Sequence, residues 1–298
     1  MLKISNRWIK NKLKESIKYR VFYNYCNLLC FIKTLKIPHI DWKPLDNSLP
    51  RFVAIAREAD VPLLAYSIQS LMQHSISRPN IWLIGDSDAA YIKLQKWFAN
   101  YPSDVKFWHW QTLHDELDQS YKNFIQTWLA SGQWGGYAKK FAITLAANAH
   151  SDILLFDADV LWFGNFLSAL QTIRQNHNTI LAGQDYVQSY DLEVAEFLCN
   201  KKILEDKPLN CGLIYYPHSI LFKIITINKV NNLIGYAKEA TPHFEQTLIA
   251  DAFWKSGGKW FSSDTVATTL IDNFQFKKQV YALARHYAGA KHLFWRDA

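Results

Sequence analysis

Two aspartates, Asp157 and Asp159, stand directly after the apolar run Ile153-Leu154-Leu155-Phe156, and Val160-Leu161-Trp162 resumes that run behind them. In an extended segment residues i and i+2 project to the same side, so both carboxylates can face one point just past the end of a buried strand. Ligands of open α/β sheets collect at that end of the strands. Two hard carboxylates there suit Mg²⁺ or Mn²⁺, which in turn can hold a diphosphate. A bare Asp-x-Asp is expected by chance about once in a chain of this size. A second one exists, Asp86-Ser87-Asp88, after Ile81-Trp82-Leu83-Ile84. That pair opens a predicted helix, and helix-start capping accounts for it. The pair at 157 and 159 has no such explanation.

The elements that must position these residues follow from periodicity. Phe52 to Ala56, Ile81 to Ile84, Val105 to Trp110 and Ile153 to Phe156 read as strands. Between them, Val61 to His74, Ala89 to Ala99, Leu113 to Leu129 and a segment from Lys140 to the turn at His150 read as helices, with a Gly-rich loop at 131–136. Beyond the aspartates, Asn165 to Asn176 and His243 to Ser256 predict helices, and Thr179 to Ala182 and Cys211 to Tyr216 predict strands. Such alternation implies an α/β domain with a mostly parallel sheet flanked by crossover helices. Its start is expected at about residue 52, after the stretch Pro38 to Arg51 with its three prolines.

The chain has 298 residues, of which 49% are hydrophobic and 15% aromatic, which excludes a disordered chain and supplies a large core. Cys26, Cys30, Cys199 and Cys211 form no disulfide or zinc pattern and predict reduced thiols and a cytoplasmic setting. Residues 1–51 hold eleven Lys or Arg against Glu15, Asp41 and Asp46, a net of +8; the whole chain is +7, which leaves about −1 for 52–298. A nucleic-acid groove on the main domain is thereby excluded. Residues 1–20 have the spacing of a basic amphipathic helix, and the apolar stretch 21–32 is too short to span a bilayer. Residues 1–37 read either as a docking segment for an anionic membrane surface or as a helix lying on the main domain.

Lys140, Asp157-Ala158-Asp159, Asp185, Asn210-Cys211-Gly212, Glu245-Gln246 and His286-Tyr287-Ala288-Gly289 follow one another in an order that resembles the retaining glycosyltransferases of family 8, the glycogenin and bacterial lipopolysaccharide galactosyltransferase group. The resemblance covers about Phe52 to Trp295. It implies the GT-A nucleotide-diphospho-sugar transferase fold, a nucleoside-diphosphate sugar donor (a uridine nucleotide in that family), and a carbohydrate, glycolipid or protein acceptor. It also implies that Asp157, Asp159 and His286 hold Mn²⁺ (or Mg²⁺), with Asp157 contacting the donor too. Lys140, with Lys139 as the alternative register, resembles the lysine that reaches the donor. Asp185 and Asn210 resemble contacts to the donor sugar's hydroxyls, Gly212, Glu245, Gly289 and Lys291 neighbours of the donor, and Gln246 the glutamine beneath the anomeric carbon. This chain has Glu245 where the family usually has Asp. Its ending HYAGAKHLFW is one residue short before Lys291 and lacks the family's proline.

Each of these residues also has a purely structural reading. Asn210 and Gly212 suit a turn, Gln246 a helix surface, Asp185 a local cap, His286 a packed core, and Lys139 and Lys140 a solvated helix face. Two other functions fit parts of the pattern. LLFDADVLW resembles the first motif of haloacid-dehalogenase-type phosphatases, which would make Asp157 a nucleophile, although the later acidic loop of that family is missing. A catalytically inactive, membrane-attached binding relative is the other.

Overall fold

The computed structural model describes residues 6–132, 134–175, 178–269 and 281–298, with side chains described from residue 17 onward. The expected helix residues 1–5, the loop residue Gln133 and the expected helix end at Asn176 lie outside that range. The apolar runs form strands β1 (Arg51–Ala56), β2 (Ile81–Gly85), β3 (Lys106–His109), β4 (Ile153–Phe156), β6 (Leu181–Gln184), β7 (Leu209–Tyr216) and β8 (Lys259–Trp260) of one sheet. Their order is β3-β2-β1-β4-β7-β6-β8. β1 to β4 run parallel, and β7 is antiparallel to both of its neighbours. β5 (Val160–Trp162), β10 (Ala284–His286) and β9 (Val266–Thr268) make a second, three-stranded sheet.

Both faces of the large sheet are covered, which is why β2 and β4 are buried along their whole length. Side chains alternate between two apolar groups: Val53, Ile153 and Leu155 face one side, and Phe52, Ala54, Leu154 and Phe156 the other. On the first side lie α4 (Trp110–Asp115), α5 (Gln119–Ala130), α6 (Gly135–His150), α8 (Leu192–Phe197), α9 (Lys202–Glu205), α10 (Ile220–Ile224), α11 (Ile227–Ala237) and α12 (Phe244–Lys255). On the second lie α2 (Val61–Gln73), α3 (Asp88–Trp97), α7 (Phe166–Gln175) and the terminal α13 (Lys291–Asp297).

Two elements differ from the sequence expectation for local reasons. The single helix expected over Leu113 to Leu129 is two, because the Asp118 carboxylate accepts the Ser120 N–H and starts α5 afresh. The basic segment and the apolar stretch after it form one helix, α1 (Asn6–Thr34), uninterrupted because no Pro or Gly falls within it. Phe22 and Cys26 of α1 are buried in the second apolar group, Tyr23 packs on His292 of α13, and Lys33 Nζ donates to the carbonyl of Ala298.

Candidate active site

Asp157-Ala158-Asp159 is the three-residue link between the two sheets, joining β4 to β5. Its backbone is fixed on both sides: Asp157 N–H donates to Gly212 O on β7 (2.8 Å), and Asp159 O accepts from Tyr287 N–H (3.0 Å). The antiparallel pairing of β10 with β5 sets His286 opposite Val160, one residue from Asp159. A histidine 127 positions away in sequence is thereby brought to the aspartates. His286 Nε2 lies 3.2 Å from Asp159 Oδ1 and 3.6 Å from Asp157 Oδ2. One ligand atom from each of the three residues falls within a 4.8 Å cluster.

The tautomer of His286 can be argued from its neighbours. Asn210 Oδ1 accepts from Gly212 N–H (2.8 Å), and Asn210 Nδ2 donates to Asp185 Oδ2 (3.2 Å), so the amide orientation is fixed at both ends. His286 Nδ1, 2.8 Å from that oxygen, is therefore the protonated nitrogen. Nε2 is turned toward the carboxylates, as in metal-binding histidines whose other nitrogen is held by an acceptor. Burial pushes the imidazole pKa down, but Asp159 and Asp157 overcome this and hold it above its ordinary value. For Asp159 burial works upward and His286 outweighs it, so the carboxyl sits below its ordinary value. Nε2 could hold a metal ion only after giving up the proton this pairing favours.

Lys140 projects from α6 into the same site. Its Nζ is 2.6 Å from Asp157 Oδ1, 3.0 Å from Cys211 O and 4.0 Å from Glu245 Oε1. Burial lowers its pKa, yet Asp157 and Glu245 prevail and the ammonium is held above its ordinary range. Glu245 is itself buried, and desolvation raises its carboxyl to about 7 in spite of Lys140. The neighbouring Lys139 points away: it donates to Asp86 O (2.7 Å) and lies over the Trp110 ring. Of the two lysine registers, Lys140 is the one at the aspartates.

A cleft of two adjoining cavities, 490 Å³ and 320 Å³, shares Tyr137, Lys140, Asp157 and Asp159 as a common wall. Asp185, Asn210, Gly212, Glu245, Gln246 and His286 line the smaller one. Gln246 Nε2 donates to Leu209 O (2.6 Å), and Asp185 Oδ1 accepts from the Tyr186 N–H. Gly212 lies within β7, not in a turn: a Cβ there would be 2.2 Å from the His286 ring. Gly289 has φ +68°, a conformation glycine adopts without strain, in the turn leading to α13. Lys291 lines the larger cavity, where Asp60 Oδ1 accepts from its Nζ (2.6 Å). A still larger cavity of 630 Å³ lies between Lys36–Trp42 and Trp97–Asn100, remote from the aspartates and without an acidic side chain.

Several residues at the cleft escaped the sequence reading. Arg57 and Asp60, ion-paired at 2.7 Å, and Tyr137 line the larger cavity. Arg57 directly follows β1 and Asp60 lies three residues further on, at the strand ends where ligands collect, and that placement was the available signal. Trp134, in the Gly-rich loop, sits at φ 60° at the start of α6, 45% exposed on the cavity rim.

No protein-family profile matches this chain, and no curated protein matches it by sequence. Solved structures do match its fold. Mouse xyloside xylosyltransferase 1 aligns at a TM-score of 0.53 and 10% identity, over 80% of this chain and 97% of that one. The bifunctional glycosyltransferase WbbM aligns at 0.51 and 13% identity, over 85% of this chain and 47% of that one. An active-site mutant of LgtC aligns at 0.52 and 12% identity, over 80% and 87%. With its mostly parallel central sheet and flanking helices, this chain has the fold of the GT-A glycosyltransferases.

Proposed function

We propose that this chain is a glycosyltransferase that moves a sugar from a nucleoside-diphosphate sugar, a uridine nucleotide by the family resemblance, to a carbohydrate, glycolipid or protein acceptor with retention at the anomeric carbon. The observation that carries the proposal is the convergence of Asp157, Asp159 and His286 within 4.8 Å at the sheet's ligand-binding end. His286 Nε2 lies 3.2 and 3.6 Å from the two carboxylates and all three ligand atoms lie within 4.8 Å, a spacing that would suit a single divalent ion, and a set of two carboxylates and one imidazole favours Mn²⁺ over Mg²⁺. Such an ion supplies Lewis-acid stabilisation of the departing diphosphate.

The chain's own side chains do the rest. Lys140 holds Asp157 in place and adds positive charge where the leaving group accumulates negative charge. Asn210 orients His286 through Nδ1 and Asp185 through its amide, so the ligand sphere and the sugar-contacting carboxylate are braced by one residue. Gln246 presents an amide, not a nucleophile, to the smaller cavity, which suits a retaining reaction without a strong enzyme nucleophile. Trp134 offers an exposed ring for stacking at the opposite rim. The phosphatase reading needs Asp157 free for in-line attack, whereas its two oxygens face Lys140 and His286.

The test is a panel of nucleotide sugars incubated with the protein, with and without Mn²⁺, followed by assay of the free nucleoside diphosphate. Mn²⁺-dependent release from one donor supports the reading. Release of inorganic phosphate from phosphomonoesters instead supports the phosphatase, and donor binding without turnover across acceptors supports an inactive relative.

A further inference from the structure

We propose that the outward face of α1 docks on the surface of an anionic phospholipid bilayer while its inward face stays packed on α13. The two faces are distinct. Phe22, Cys26, Leu29 and Cys30 look inward to the core. On the far side, at helical spacing of three and four, Ile17, Val21, Tyr25, Leu28, Ile32 and, just past the helix end, Leu35 form an exposed stripe. Phe31 widens it on one edge, beside the exposed Asn24; Leu28 is 54%, Phe31 62% and Leu35 71% exposed. A folded domain rarely leaves a continuous apolar stripe of this length to water.

Charge selects the occupant. Exposed Lys18 and Arg20 flank the stripe, Lys36 adjoins its end, and residues 1–37 carry nine basic residues against the single Glu15. A second copy of the chain brought onto this face would set these cations against their own kind in either orientation. An anionic headgroup layer is complementary to them, with the apolar stripe reaching the acyl boundary. Among the described residues no helix is long and apolar enough to cross a membrane, so α1 lies on the surface and does not span it. Docking would also set the cleft relative to the bilayer. Tyr19 and Tyr23 of α1 contact His292, the residue after Lys291 at the cavity wall, and one helix diameter of about 10 Å separates that contact from the stripe. The proposal is independent of the reaction proposed for the cleft.

The experiment is co-sedimentation of the full chain with vesicles of phosphatidylglycerol and phosphatidylcholine, or of phosphatidylcholine alone, at low and high salt. Wild type should bind only the anionic vesicles, and binding should weaken as salt rises. Leu28→Glu with Phe31→Glu should lower the partition coefficient about tenfold or more, since each large apolar side chain kept out of the acyl boundary is a sizeable loss. Lys18→Glu with Arg20→Glu should reduce it through charge alone. Thermal unfolding and nucleoside-diphosphate binding should stay as in wild type for both variants. Vesicle binding unchanged in both variants overturns the proposal. So does a wild-type dimer by equilibrium sedimentation that the apolar-face variant turns into a monomer, because the occupant is then a second copy of the chain.

Discussion

The two Asp-x-Asp sequences of this chain occupy equivalent places in the sheet and have different chemistry. Asp86 and Asp88 follow β2; Asp157 and Asp159 follow the parallel strand β4. After β2 the chain enters α3, and the Ser87 hydroxyl accepts from the Ala90 N–H as an N-cap. Asp88 faces solvent with 96% of its side chain exposed. After β4 the chain instead enters another strand, β5, whose partner β10 carries His286. Asp159 is 7% exposed and pairs with that histidine. The element next in the chain makes the difference: a helix start consumes its polar groups locally, whereas a strand recruits a distant residue and gathers two carboxylates and an imidazole at one point.

The largest expected contrast is between Asp159→Ala and Asp88→Ala. Loss of a proposed ligand should lower Mn²⁺-dependent donor turnover by roughly 100-fold or more, while loss of the exposed aspartate leaves it within about twofold. Equal effects in a turnover assay would break the comparison. The adjacent lysines come next. Lys140→Met should lower turnover by about 10²-fold through loss of a charge directed at the leaving group, with Lys139→Met close to wild type, as measured by kcat with saturating donor.

The glycines behind each pair sharpen it further. A Cβ on Gly212 would sit 2.2 Å from the His286 ring, and one on Gly85 would sit 2.5 Å from the backbone nitrogen of Tyr91 in α3. Both Gly→Ala changes should destabilise the fold by about 1–3 kcal/mol in denaturant titrations. Only Gly212→Ala should also weaken Mn²⁺ affinity in the protein that remains folded. Smallest is Ser87→Ala, which removes a helix cap at a cost of about 1 kcal/mol and should leave Mn²⁺ affinity unchanged.

The alternation of β1 to β4 with α2, α3 and α6 was legible because each element is defined by its own apolar period. The two aspartates were legible for the same reason: they end one apolar run and precede another. His286 was not. Its place depends on the β5–β10 pairing across 124 positions of sequence, a long-range register that no local pattern encodes, and only the resemblance named it. The sequence predicts a strand only from Cys211 onward and leaves Asn210 suited to a turn, but β7 begins at Leu209, and from within β7 the Asn210 side chain reaches His286 and Asp185. The short helices α8 to α10 carry too few turns for a period to register. In α1 the change from basic to apolar composition near Val21 suggests a boundary where the backbone has none, because no Pro or Gly breaks the helix there.

The most direct measurement is Mn²⁺ binding, read by electron paramagnetic resonance in the presence of the preferred nucleoside diphosphate, for wild type and for His286→Ala, Asp159→Ala and Asp88→Ala. The account predicts a single tight site in wild type and Asp88→Ala that is lost in the other two. An undiminished site in His286→Ala would contradict it, because the distant histidine would then be packing in the core and not holding the ion.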